Sequence, residues 1–308
     1  MAKNITVIGS LNLDIHIPVE HIPTQGETLG LLRASTQAAG GKGANQAVAA
    51  ARLGAQVHFI GATGNDAAGR MLISKCKAEG IDVSAISALD GKNTGQAFII
   101  LEPDGHNTIM VEGGANKLVS DAAIETAADR IRQSDIVIAQ LETNFEPIIA
   151  TFKIAKEAGV LTILNPAPAN KPVPDELLKL TDIITPNETE AATLTGHKAV
   201  TEADFTAITA TFQAKGIPNT LITLGSKGVY YNIANQTGVV AAHKVARPVD
   251  TTAAGDTFIG AMAAVLNKDL SNAKAAIDFA NAASSLTIQR AGAMDSIPTK
   301  AEVNALLF

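Results

Sequence analysis

The chain has 308 residues, 46% of them hydrophobic, a formal net charge of −6 and a pI near 5.5. That length and apolar content suffice for one large or two medium globular domains, and the acidic balance excludes a surface that follows nucleic-acid backbone with clustered Lys and Arg. Aromatics at 4%, with no Trp, leave little for base stacking, and no apolar run approaches the roughly 20 residues that cross a bilayer, so neither nucleic acid nor membrane is an expected partner.

The amino-terminal MAKNITVIGS moves directly into a strand-like segment with no signal-peptide core, which sets a cytoplasmic expectation. NITVIG (4–9) is the first β-branched apolar run and reads as a buried strand. VIGSLNLD, which overlaps it, has a single glycine, so the GxGxxG fingerprint of dinucleotide enzymes is missing; GxxxxGK followed by Ser or Thr occurs nowhere. Segment 12–38 alternates in shorter steps and reads as antiparallel strands.

GGKGANQA (40–47) immediately precedes an Ala-rich helix at 44–53. Gly40, Gly41 and Gly43 let backbone approach a ligand closely, while Lys42 and Asn45 supply donors for hydroxyl or phosphate oxygens. A loop kept only for tight helix packing predicts the same glycines, and the motif alone divides evenly between the two. QVHFIG (56–61) is a second strand, followed by a helix at 66–79. That helix carries Cys76, the one cysteine, so neither an intrachain disulfide nor a cysteine metal site is expected.

Segment 95–112 again alternates in short steps, with Pro103-Asp104-Gly105 as a turn signal between FIIL and TIMV. Segments 12–38 and 95–112 hold too few strands to fold alone. They predict a small sheet projecting from the edge of a larger domain, placed to act as a lid.

Helices are expected at 121–132 and 145–158, and strands at DIVIAQ (135–140), VLTIL (160–164) and DIIT (182–185). ITPNETEA (184–191) puts Asn187 and Glu190 three apart at a helix start, a spacing that suits Mg²⁺ held through water. An Asn N-cap with Glu at N3 is the stronger local reading. Helices are also expected at 188–195 and 202–215, the second opened by a Thr201/Asp204 capping-box spacing.

TLITL (220–224) runs into TLGSKG (223–228), whose glycines fall at the carboxyl end of a strand, where open α/β sheets bind ligands and where a nest of amides could hold phosphates. An ordinary turn into GVYYN, the start of a hairpin near 230–240, competes with that reading. In TAAGD (252–256) the amides of Ala254, Gly255 and Asp256 would open a helix N-terminus and form an anion site, with a carboxylate in the same turn able to take a proton from a hydroxyl. The competing reading makes Asp256 a helix cap. Helices at 255–266 and 272–290 complete the pattern. The six histidines are scattered, without an HExxH pair, and take no catalytic role.

Strand and helix in alternation imply a mostly parallel sheet covered on both faces, in a single α/β domain over 1–308. The joint order of GSLNLD, GGKGANQA, NPAPA, TPNETEA, LITLGSKG and DTTAAGDTF, spanning residues 4 to 298, resembles the ribokinase family of carbohydrate kinases, which also includes adenosine kinase and minor phosphofructokinase.

The resemblance implies a three-layer α/β/α sandwich with a β-sheet lid, and ATP-dependent phosphorylation of D-ribose at its 5-hydroxyl. Asp256 would be the base, with Ala254 and Gly255 as the anion hole. Asn12, Asp14, Gly41, Lys42, Gly43, Ala44, Asn45 and Glu142 would hold the sugar. Asn187, Glu190, Thr223, Leu224, Gly225, Ser226, Lys227, Gly228, Gly255 and Asn281 would hold ATP, with Asn187 and Glu190 organising Mg²⁺ through water.

The resemblance also implies K⁺ at Asp250, Thr252, Thr287, Arg290, Gly292 and Ser296, and a homodimer formed through the lid. Two positions depart from the family pattern. Ala253 stands where Gly is usual, which requires its φ to stay negative, and Asn281 stands where His is frequent. The alternatives are a kinase of deoxyribose, fructose or a nucleoside, and a ribose or nucleotide sensor without turnover.

Overall fold

The computed structural model describes residues 2–103 and 106–307, so Asp104 and Gly105 of the expected turn lie outside it. In chain order, β1 (Asn4–Ile8), β2 (Asn12–Pro18) and β3 (Thr36–Gly40) precede α1 (Lys42–Arg52), β4 (Gln56–Gly64), α2 (Ala67–Ala78), β5 (Asp82–Leu89), β6 (Gly95–Leu101) and β7 (Asn107–Glu112). Next come α3 (Asp121–Gln133), β8 (Ile136–Gln140), α4 (Phe145–Glu157), β9 (Leu161–Asn165), α5 (Asp175–Lys179), β10 (Ile183–Ile184), α6 (Glu188–Thr195) and α7 (Glu202–Ala214). β11 (Asn219–Thr223), β12 (Val229–Ile233), β13 (Gln236–Val240), α8 (Ala254–Val265), α9 (Ala273–Thr287) and α10 (Lys300–Leu307) end the chain.

Nine strands form the main sheet in the order β13-β12-β11-β10-β9-β8-β1-β4-β5. β11 through β5 are parallel, and only β12, the middle strand of the meander β11-β12-β13, runs against them. The β-branched runs of β1 and β8 lie at the centre because both their faces are covered. One face packs against α1, α8 and α9 around Phe59, Phe258 and Ile277, the other against α3 and α4 around Ile148 and Phe152. The result is the expected three-layer α/β/α sandwich. Among the described residues no helix is long and apolar enough to cross a membrane.

The small sheet has the order β3-β2-β6-β7. Its central pair, β2 with β6, is parallel over Asn12–Pro18 and Gly95–Leu101, which corrects the expectation of antiparallel strands throughout. Both strands follow the carboxyl ends of parallel strands of the main sheet, β2 after β1 and β6 after β5, and run outward the same way; β3 and β7, which return, are antiparallel to them. β3 also continues to Gly40, so the lid extends two residues past 38.

Helices α1 and α8 carry the polar groups of the crevice at their amino ends. Both are lined by alanines and buried along residues 43–50 and 256–264. A Cβ on Gly260 would lie 2.5 Å from the Gln46 carbonyl oxygen and 2.6 Å from the Ala49 Cβ, so the helices touch backbone to backbone at that point. Side chains one turn towards their amino ends therefore meet directly.

Candidate active site

The carboxyl ends of the parallel strands converge with the amino ends of α1, α6 and α8, as open α/β sheets lead one to expect of a ligand crevice. A cavity of about 220 Å³ there is lined by Lys42, Asn187, Glu190, Thr223, Ala254, Gly255 and Asp256, among others. Residues 211 positions apart are joined: the Asn45 side-chain amide donates to Asp256 Oδ2 at 2.9 Å. Gln46 Nε2 donates to Asp256 Oδ1, also at 2.9 Å.

Asp256 is therefore not a helix cap. The N-cap of α8 is Ala253, which makes no side-chain hydrogen bond, and Asp256 is the third helical residue with both oxygens engaged by amides of α1. Ala253 has φ 60° and ψ 7°, in the left-handed region, which corrects the requirement of a negative φ. The turn into α8 demands that conformation, and an L-residue held there costs about 1–2 kcal/mol. Ala254 donates its amide weakly to Thr251 at 3.3 Å, whereas Gly255 and Asp256 are the next amides of a first turn and have no acceptor within the helix. A Cβ on Gly255 would meet nothing within 4 Å.

The glycine loop answers mainly to packing. Gly41 has φ 96°, and a Cβ there would lie 2.8 Å from Asn12 N and Ser10 O. One on Gly43 would lie 2.6 Å from Ser10 N, and one on Gly40 would strike the Asp14 carboxylate at 2.0 Å. The space beside these glycines is filled by the chain itself, so the packing alternative accounts for their lack of side chains. Ala44 is fully buried and donates its amide to the Ser10 carbonyl at 3.0 Å.

Charge is concentrated around Lys42. Burial pulls its ammonium down, but Asp256, Glu142, Glu190 and Asp14 together hold it above the usual lysine value. Burial, then Glu142 and Asp256, push the Asp14 carboxyl up to about 7 against the opposing pull of Lys42. Burial likewise raises Glu190, partly offset by the Asn187 amide and Lys42. Glu142 accepts the Ser10 hydroxyl and, at 3.2 Å, the Lys42 amide.

Asn187 and Glu190 form the capping box: Asn187 Oδ1 accepts the Glu190 amide at 2.8 Å, and Glu190 Oε2 accepts the Asn187 amide at 2.9 Å. Thr201 and Asp204 form another at α7. The segment Gly225–Lys227 is a 3₁₀ turn between β11 and the antiparallel β12, so the hairpin reading of TLGSKG is met, with Thr223 at the cavity. Leu224 is buried and donates its amide to the Gly228 carbonyl at 2.8 Å, while Ser226 and Lys227 are exposed, Lys227 lying 3.6 Å from Glu188. Asn281 is buried in α9 with its amide donated to the carbonyls of Val240 and Ala241, away from the cavity wall.

Asp250 staples two loops. One oxygen accepts the Thr252 amide and the other the Gly292 amide, both at 2.9 Å; burial raises this carboxyl, but the hydrogen bonds outweigh it and the net shift is downward. The hydroxyls of Thr287 and Ser296 donate to the carbonyls of Ala283 and Ala293, and Arg290 pairs with Glu302.

Five further residues of the site are not singled out by the sequence, although Ser10 lies in GSLNLD, Gln46 in GGKGANQA and Asn165 in NPAPA. Ser10 holds Glu142. Asn116, 1% exposed, binds both backbone groups of Leu11 and donates to Asn12 Oδ1 at 2.7 Å, which leaves the Asn12 amide group free to donate outward. Gln46, Gln140 and Asn165 stand behind Asp256. None has a chemical signature of its own, and Gln46, although inside GGKGANQA, looks like any polar residue of a helix.

The family model of the pfkB family carbohydrate kinases matches residues 2–300. The chain is 46% identical over 304 residues to the ribokinase of Staphylococcus aureus (strain COL), covering 99% of each. It is 47% identical over 298 residues to the bifunctional ribokinase/ribose-5-phosphate isomerase A of Fructilactobacillus sanfranciscensis, where 97% of this chain spans only 55% of the relative. Among solved structures, that of Arabidopsis thaliana ribokinase complexed with ribose and ATP matches with a TM-score of 0.90 and 35% identity, over 100% of this chain and 99% of that one.

Proposed function

The chain belongs to the pfkB family of carbohydrate kinases, and on that premise we propose that it transfers the γ-phosphoryl group of ATP to the 5-hydroxyl of D-ribose, giving D-ribose 5-phosphate and ADP. The observation that carries this reading is Asp256: a buried carboxylate, aligned by two amides, beside the open first turn of α8 in one cavity. Its oxygen takes the hydroxyl proton as the sugar oxygen bonds to the γ-phosphorus and the bond from that phosphorus to ADP breaks. The Gly255 and Asp256 amides are placed for charge developing on the transferred group.

For the sugar, Asn12, Asp14, Lys42, Asn45 and Glu142 supply the polar set, with Gly41, Gly43 and Ala44 as the backbone that holds it. Asn45 Oδ1 is buried without a partner, an acceptor available to a sugar hydroxyl. ATP would lie against Asn187, Glu190 and Thr223 to Gly228, its phosphates towards Gly255.

The donor set fits Mg²⁺: Glu190 reaches the cavity and spends one oxygen on the capping box, leaving the other for a metal-bound water. There Mg²⁺ would supply positive charge for the phosphates. For K⁺, Asp250 brings residues 250–252 and 292 together, and the internal bonds of the Thr287 and Ser296 hydroxyls and of Arg290 leave backbone carbonyls as the natural ligands. The exposed Ile109, Met110 and Val111 on β7 form an apolar edge that suits a homodimer through the lid.

An ADP-release assay with ribose, deoxyribose, fructose and adenosine, each in K⁺ and in Na⁺, tests the reading. Ribose is expected to turn over fastest, and faster in K⁺. Preference for adenosine, or no turnover of any sugar, overturns the assignment, and equal rates in the two salts remove the cation site.

Two variations of condition or sequence sharpen it. Hydroxyl donors favour the ionised form of Asp14, so sugar binding at pH 6 is expected to release about one proton, and almost none above pH 8. Calorimetry in two buffers of different ionisation enthalpy reads this directly, and pH-independent release removes Asp14 from sugar binding. The sign for folding is opposite: between the ordinary 3.8 and about 7 the native state holds a proton that the unfolded chain has lost, so Asp14 makes stability fall as pH rises through that window. For Gly255→Ala, the open space around the glycine predicts no loss of stability, yet kcat falling about tenfold or more as the methyl enters the phosphoryl position. Full activity would move the anion hole elsewhere.

A further inference from the structure

We infer that Gln46 is the positioning residue of the Asp256 base, its side-chain amide locked in one orientation by Gln140 from the adjoining strand. This rests on the reading of Asp256 as the base. Gln46 and Gln140 are both 0% exposed, lie 94 residues apart, and share a bond of 2.6 Å from Gln140 Nε2 to Gln46 Oε1. Gln46 Nε2 then has only its hydrogens to offer, one to Asp256 Oδ1 at 2.9 Å and one to Asn165 Oδ1 at 3.3 Å. Asn165 is tied in turn to the Thr185 carbonyl at 3.0 Å.

The polarity of this chain has one consistent solution. An ionised carboxylate only accepts, so Gln46 must turn its NH₂ group towards Asp256 and its oxygen away. That oxygen requires a donor, which is Gln140. The far oxygen of Gln140 is buried with no partner, pressed where a Cβ on Gly9 would lie 2.1 Å away. Along the line from Gln140 through Gln46 to Asp256, the unsatisfied buried acceptor is at the far end while both Gln46 polar atoms are paired, the pattern expected when orientation at the carboxylate is what these two glutamines secure.

For the reaction this has two consequences. With Asn45 on one oxygen and Gln46 on the other, the carboxylate plane cannot rotate, and the lone pair that receives the proton keeps a fixed direction. Each donated hydrogen bond also stabilises negative charge on the carboxylate, so the loss of one is felt by the base itself. Asn45 is shared with the sugar side, so the contact dedicated to the base alone is Gln46.

Gln46→Leu, Gln46→Glu and Gln140→Leu test this through full pH profiles of kcat with saturating ribose and ATP. Gln46→Leu is expected to lower kcat about tenfold or more, leave the KM for ribose within about twofold, and move the acid limb up by about one pH unit. Gln46→Glu is isosteric, so it reports even if the Leu variant does not fold; two acids sharing a proton should move the limb further. Gln140→Leu, acting through Gln46, should shift the limb in the same direction by less. A kcat within about twofold of wild type in a folded Gln46 variant, or a lower kcat with an unmoved limb, overturns the positioning role. If Asp256→Asn is inactive in that case, the base reading survives alone; if Asp256→Asn is active, both fall.

Discussion

Asp256→Asn is expected to lower kcat by about 10²-fold or more while unfolding at nearly the wild-type temperature. The first effect follows from the proposed role of Asp256 as the group that takes the sugar proton. The second needs a structural reason, because Asp256 accepts from two amides and an Asn there would set NH₂ against NH₂ on one side. Asn45 provides the remedy: its Oδ1 is buried and unpartnered, so a flip of that amide turns an acceptor towards the new donor at no cost in volume. Asp256→Ala has no such remedy and should lose about 1–3 kcal/mol through two unsatisfied buried donors. Steady-state kinetics with thermal unfolding of both variants checks the pair; normal turnover by Asp256→Asn would remove the base.

Gly43→Ala should act in the opposite way, through stability first. The new Cβ would lie 2.6 Å from Ser10 N and 2.7 Å from the Cα and carbonyl carbon of Gly9, atoms of the backbone leaving the central strand β1. Nothing flexible can yield there, because Ala44 is bonded to the Ser10 carbonyl and Gly9 to the Ile60 carbonyl. The helix must shift, at a cost of about 3 kcal/mol, and Lys42, Asn45 and Gln46 shift with it. Urea unfolding should show the midpoint lowered, while Gly30→Ala, with no atom within 4 Å of its Cβ, leaves it unchanged. An unaltered midpoint for Gly43→Ala would mean that the contact of α1 with β1 is looser than these distances.

The main sheet was legible because buried parallel strands must be continuous β-branched runs, and DIVIAQ or TLITL admits few other readings. Strand β5 was not: DVSAISAL is half Ser and Ala on a partly exposed edge, and those residues carry little strand preference. The short α5 and the last helix α10 were missed for the same want of pattern. In the lid, alternation disclosed strands but not direction, since a parallel pair of β2 and β6 depends on how two distant segments leave the main sheet.

The site divides along a similar line. Lys42, Asn187, Glu190, Thr223, Gly255 and Asp256 share one cavity, and each sat in a short motif whose residue types match oxygen-rich ligands. Asn116 and Gln140 lie in no such motif, and Ser10, Gln46 and Asn165 lie in motifs without being singled out there, because an amide or hydroxyl becomes informative only through its partner. The competing readings were also decided unequally: the capping box at Asn187 and the packing role of the glycine loop both hold, whereas Asp256 is no cap.

By itself, then, the sequence determined the layered α/β architecture and the list of polar groups near the crevice, since apolar periodicity and local turn chemistry act within a few residues. Only the tertiary structure decided that Asp256 is no helix cap. Its placement turns on two amides 211 and 210 positions away, on a left-handed Ala253, and on the close crossing of α1 with α8 that Gly260 permits. Those are facts about distance and orientation between segments, and a hydrogen bond depends on both.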